Sequence, residues 1–125
     1  MIKLSEREFD RVVRRAVKRI PAEIREHMEN VLISVRKRPS REMLRRMGMT
    51  SGDVPLGLYY GSSLAERSET YPPLYPDTIF IFQEPLEEMC DTKEELEEQI
   101  EITVVHEIAH FIGMDEATLH ELGYG

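Results

Sequence analysis

A chain of 125 residues with 41% hydrophobic side chains is expected to fold as one domain, residues 1–125, around one modest core. No apolar run approaches bilayer-spanning length, and Met1-Ile2-Lys3-Leu4-Ser5-Glu6 lacks the apolar stretch of a secretion signal, so a soluble cytoplasmic protein with no membrane partner is expected. The lone Cys90 excludes an internal disulfide, and the net charge of −8 argues against a surface built for nucleic-acid phosphates.

That net charge conceals an asymmetry. Residues 1–50 carry fourteen Lys and Arg against seven Asp and Glu, whereas residues 51–125 carry two against seventeen. A basic N-terminal segment could contact nucleic acid, through Arg11, Arg14, Arg15, Lys18 and Arg19. The simpler expectation is that the basic N-terminal helices pack beside an acidic helix near the C-terminus.

Along the chain, Ser5-Glu6-Arg7-Glu8 reads as a capping box that opens a helix over residues 6–19. Phe9, Val12, Val13, Ala16, Val17 and Ile20 recur at helical spacing and form its inward face. Pro21 can open a second helix reaching about Asn30, with Ile24 and Met28 inward and His27 at the surface. Val31-Leu32-Ile33-Ser34-Val35 is rich in branched residues and predicts the first strand. Ser40 caps a short helix over Arg41 to Met47, stopped by Gly48. Leu56-Gly57-Leu58-Tyr59-Tyr60 predicts a second strand, followed by a polar, Pro-rich loop from Ser62 to Asp77. Thr78-Ile79-Phe80-Ile81-Phe82 is apolar on both faces and predicts a strand covered on both. Pro85 to Cys90 predicts one or two helical turns.

Asp91 or Thr92 caps the last long helix, whose first half is crowded by Glu94, Glu95, Glu97, Glu98 and Glu101. Beyond the first turn these glutamates read most simply as a solvated face. The second half carries His106-Glu107-Ile108-Ala109-His110. Histidines four apart stack on one helical face, where both imidazoles can reach one metal ion, and the intervening Glu can serve as general base. At about 100° per residue, Glu107 falls roughly 60° from His110 and roughly 100° from His106, so the three share one sector. Val104, Val105, Ile108, Ala109, Phe111 and Ile112 fill the other sides, making this strip the only polar one on a helix that should be buried. Gly113 ends the helix in a left-handed turn, and Leu119, Leu122 and Gly123 mark a last short helix.

A catalytic zinc usually takes three protein ligands and one water. Downstream of His110 the candidates are Asp115, Glu116, His120 and Glu121. In the extended pattern H-E-x-x-H-x-x-G-x-x-H, Gly113 takes the glycine place and Glu116 the last, which makes Glu116 the first choice of third ligand. Asp115 could instead cap the last helix, and His120 could ligate or support a ligand. Two histidines and one carboxylate would also suit non-haem iron, but the intervening Glu107 favours zinc hydrolysis.

These blocks, together with Gly57-Leu58-Tyr59-Tyr60-Gly61, Glu66-Arg67-Ser68, Pro76-Asp77-Thr78-Ile79 and Leu119-His120-Glu121-Leu122-Gly123, resemble the small bacterial zincin-like metallopeptidases, sometimes called minimal metalloproteases. The resemblance runs from about Leu56 to the end. It implies an α+β domain with a small three- to four-stranded sheet, N-terminal helices and the zinc-binding helix packed on the sheet. Glu116 stands where family members often carry Asp or His. The expected activity is hydrolysis of a peptide or unfolded protein by Zn2+-activated water, with His106, His110 and Glu116 as ligands and Glu107 as base. The alternative is a domain of the same fold that binds metal or partners and cleaves little.

Overall fold

The computed structural model describes residues 1–50, 52, 54–61 and 77–124. Helix α1 (Glu6–Arg19) starts at Ser5, whose hydroxyl oxygen accepts from the Glu8 N–H as the capping box requires. Its inward face of Phe9, Val12, Val13 and Ala16 is buried. The second helix is shorter than its sequence suggests. It is α-helical only over Ala22–Arg25 (α2), with Pro21 as its N-cap, and tightens to a 3-10 turn over Glu26–Met28 before the chain enters β1 at Val31. His27 is exposed there. Strand β1 (Val31–Arg36) leads to α3 (Arg41–Arg46), capped by Ser40 and released at Gly48, whose φ is 70°.

Strands β2 (Gly57–Tyr60) and β3 (Asp77–Phe82) complete a three-stranded sheet in the order β1-β3-β2. β3 runs parallel to β1, pairing Ile33 with Ile79, and antiparallel to β2, pairing Tyr59 with Ile79. Within the described sheet, both β1 and β2 are therefore edges. The Pro-rich segment at 62–76 lies outside the described residues.

Helices α4 (Gln83–Met89), α5 (Lys93–Ile112) and α6 (Glu116–Glu121) follow. Thr92, not Asp91, caps α5, its hydroxyl oxygen accepting from the Glu95 N–H. Gly113, at φ 74°, ends the helix as the sequence predicts. α5 packs against β2 and β3 on one side and along α1 on the other. The core lies between them, built from Phe9, Val12, Ile79, Ile81, Leu86, Leu96, Ile100, Val104, Ile108 and Leu119.

Coverage of β3 on both faces is only half met. Ile79 and Ile81 are fully buried against the helices, whereas on the opposite face Phe82 is buried but Thr78 and Phe80 are half-buried. There Phe80 meets the edge of Tyr60, and the Arg36 guanidinium lies over the Phe80 ring and that of Arg46, from α3, over the Tyr60 ring. No described helix is long and apolar enough to cross a membrane.

The charge asymmetry resolves into contacts between α1 and α5. Arg15 and Arg19 both pair with Glu97, at 3.0 and 2.9 Å, and Arg19 Nε lies 2.9 Å from Glu101 Oε1. This corrects the reading of the α5 glutamates as a uniformly solvated face, because Glu101 is buried. A glutamate at that depth needs compensation, and Arg19 supplies it from the end of α1.

Candidate active site

The last two turns of α5 carry the strip. Leu96, Ile100, Val104, Val105, Ile108 and Ala109 are buried and fix the helix on the core, while Phe111 turns out to be exposed. This leaves a graded strip: His106 and Glu107 are half-buried and His110 faces solvent. Glu107 is 21% exposed at its side chain and His110 is 65%.

What holds Glu107 is strand β2. The Tyr59 N–H donates to Glu107 Oε1 at 2.7 Å, and Glu107 Oε2 lies 4.0 Å from His110 Nδ1. Strand and helix can approach this closely because of Gly57. A Cβ there would stand 2.7 Å from the Thr103 methyl and 2.9 Å from the Phe80 carbonyl oxygen. Tyr59 is fixed in turn: its ring stacks on Phe111 with centroids 4.3 Å apart, and its hydroxyl donates to Asp77 Oδ2 at 2.7 Å. Burial pushes the Glu107 carboxyl above its ordinary pKa, opposed by the Tyr59 N–H and by the two imidazoles. A raised carboxyl pKa moves the group toward the range where it can exchange protons near neutrality.

His106 is engaged elsewhere. Its Nε2 lies 2.6 Å from the backbone carbonyl oxygen of Tyr124, and since a carbonyl only accepts, that nitrogen carries the hydrogen. Tyr124 is anchored by its hydroxyl, which donates to Glu101 Oε2 at 2.5 Å. Burial and the Glu101 charge both push the Tyr124 phenol well above its ordinary value.

The downstream candidates divide by role. Asp115 caps α6, its Oδ1 accepting from the Thr118 N–H at 2.8 Å, and this bond holds its pKa below the ordinary carboxylate value. Glu116 is the first residue of α6 and His120 lies near its end, both exposed. Thus His110 and Glu107 are brought together, His106 is turned to Tyr124, and Glu116 stands across the Gly113 turn. Among the described residues no three His, Cys, Asp or Glu side chains are grouped as a metal site. The donors nevertheless suit zinc in kind: two imidazoles one helical turn apart, with a half-buried carboxylate between them and another just past the turn.

Two participants were not singled out for a role from the sequence. Tyr124 gives no local signal, since a tyrosine after a helix-stopping glycine is unremarkable. Tyr59 acts through its backbone N–H, which carries no side-chain signature.

A family model described as zincin-like metallopeptidase matches residues 28–125. Among solved structures, a conserved hypothetical protein from Thermo thermophilus superposes with a TM-score of 0.59, covering 87% of this chain and 94% of its own at 15% identity. That likeness is one of fold. No curated protein matches the sequence.

Proposed function

Since the chain belongs to the zincin-like metallopeptidase family, we propose that it hydrolyses peptide bonds at the His106-Glu107-His110 strip with a zinc ion held by the two imidazoles and Glu116. Zinc supplies Lewis acidity there, polarising a carbonyl and lowering the pKa of a bound water to about 7. The rest falls to the chain. Glu107 takes a proton from the attacking water and returns it to the leaving amine; its Oε1 is pinned by the Tyr59 N–H, which leaves Oε2, on the His110 side, for that transfer. Strand β2 is an edge of the described sheet, and an extended peptide laid along it would present its backbone beside Glu107. Phe111, 46% exposed and stacked on Tyr59, adds an apolar wall.

The observation that carries this reading is that the carboxylate between the two histidines is half-buried and held by a backbone N–H of β2, an edge strand of the described sheet. A solvated helix face offers no reason for such a bond. A second reading, a metal-binding or interaction domain of the same fold with little hydrolysis, is favoured by the absence of a grouped three-donor set among the described residues.

The test is zinc analysis of the purified protein together with cleavage of an unfolded protein and short peptides, with and without chelator. Chelator-sensitive cleavage that Glu107→Gln reduces by about 10²- to 10⁴-fold, with zinc stoichiometry unchanged, supports the peptidase. One zinc per chain without chelator-sensitive cleavage supports the binding domain instead.

A further inference from the structure

We propose that the groove between α1 and the outer edge of β1 receives an extended segment of another protein, with apolar and acidic side chains in alternation, which adds to the described sheet as a fourth strand. β1 lies on the far side of β3 from β2, so this site is separate from the His106-Glu107-His110 strip and needs neither metal nor hydrolysis. Alternate residues of an edge strand turn their N–H and C=O groups away from the sheet. Among the described residues, no backbone group outside the sheet bonds to Val31–Arg36. Edges are usually blunted by proline, by a bulge or by charges along the strand. β1 has no proline, pairs with β3 in unbroken register and carries its one charge, Arg36, at its end, while Leu32 is 55% exposed.

The groove gives an added strand a place for its side chains. Its volume is about 660 Å³, within the range of about 300–1,000 Å³ usual for ligand clefts. Val13 and Val17, one helical turn apart, line it from α1, and Ile33 and Val35 line it from β1. Val17, Ile33 and Val35 are only half-buried by the chain itself. Apolar side chains laid between the helix and the strand would remove that remaining surface from water.

Charge selects the occupant. Arg14 and Lys18 form the next stripe of α1, about 100° round the helix from Val13 and Val17, and make the rim of the groove. Both are exposed, and whereas Arg15 and Arg19 are paired with glutamates of α5, neither Arg14 nor Lys18 meets a carboxylate at ion-pair distance among the described residues. Asp10 is the one carboxylate on the lining. A second copy pairing β1 to β1 about a two-fold axis would set two such basic rims along one seam, and like charges brought together cost affinity. Carboxylates on a segment of another protein meet the rim favourably.

The experiment titrates the full chain against two blocked, fluorescent peptides of about eight residues, a usual strand length, one alternating valine with glutamate and the other valine with lysine. Anisotropy gives the affinities, and amide NMR of the nitrogen-15-labelled chain gives the place of binding. We expect the glutamate peptide to bind at least about tenfold more tightly than the lysine peptide and to weaken as salt is raised. It should shift amides within Val31–Arg36 and slow their exchange, leaving those of Gly57–Tyr60 unmoved. Arg14→Glu combined with Lys18→Glu, at exposed positions and with circular dichroism confirming the fold, should weaken the glutamate peptide by about tenfold or more. No shift of the β1 amides at millimolar peptide, equal binding of the two peptides, or binding indifferent to the charge reversal overturns the proposal. So does self-association in sedimentation equilibrium that protects the same β1 amides without peptide, which would make a second copy the occupant. None of these readouts involves zinc or cleavage, so failure here leaves the peptidase reading standing, and failure of that reading leaves this one to be judged by its own titration.

Discussion

Replacing Gly57 by Ala tests whether the close approach of β2 to α5 holds the strip together. The added Cβ would meet the Thr103 Cγ2 at 2.7 Å and the Phe80 carbonyl oxygen at 2.9 Å. The first contact can be eased by a shift of Thr103, although its hydroxyl is tied to the Gln99 carbonyl oxygen at 2.7 Å. The second is with the backbone of the central strand and can be relieved only by moving β2. Overpacking of this kind costs about 1–3 kcal/mol, and for a domain of this size each kcal/mol lowers Tm by roughly 3–5 °C. A fall of about 3–15 °C is therefore expected in a thermal melt. Displacement of β2 should also lengthen the Tyr59 N–H to Glu107 bond, now 2.7 Å, and raise the exchange rate of the Tyr59 amide. Thr103→Ser, which removes the methyl, should recover part of the loss in the Gly57→Ala background. An unchanged melting temperature with an unchanged Tyr59 amide would refute the idea that this glycine sets the strand-to-helix distance.

Thr92→Ala removes the cap of the helix bearing the histidines and should cost about 1 kcal/mol in urea denaturation, without altering zinc stoichiometry. Among the described residues, Arg19→Met leaves Glu101 with the Tyr124 hydroxyl. Removing one partner of a fully buried pair costs about 3–5 kcal/mol, but Arg19 is half-exposed and water screens it, so the loss should be nearer about 1 kcal/mol. A Tyr124 phenol whose pKa is raised in the folded state lends stability that is fully present below its ordinary value of about 10 and disappears as pH climbs through the folded value. Urea midpoints of the unaltered protein should accordingly fall relative to Tyr124→Phe on going from pH 8 to about pH 11; parallel curves would mean that the phenol ionises as freely folded as unfolded.

Local chemistry was legible from the sequence alone. Ser5 caps α1, Gly48, Gly113 and Gly123 end helices in left-handed turns, and the periodicity of α1 marks its buried face, because each signal acts within about four residues, whereas the cap of α5 was legible only as Asp91 or Thr92. The same holds for the histidine spacing on α5, which helical geometry alone puts on one face. Asp115 was legible only as one of two options, cap or ligand, and the packing of α6 selects the cap. The charge asymmetry foretold that the basic N-terminal helices and α5 would pair, but which residues meet across the chain was decided by the tertiary structure. Glu107 is held by Tyr59 from 48 residues away, and His106 meets Tyr124 from 18 residues away. Glu101 reads locally as one more solvated glutamate, and only the docking of α1 buries it and supplies Arg19. Periodicity states which face of a helix is apolar, but which partner covers the polar groups left at its margin depends on how strands and helices stack, and that is settled by the packing of the whole chain.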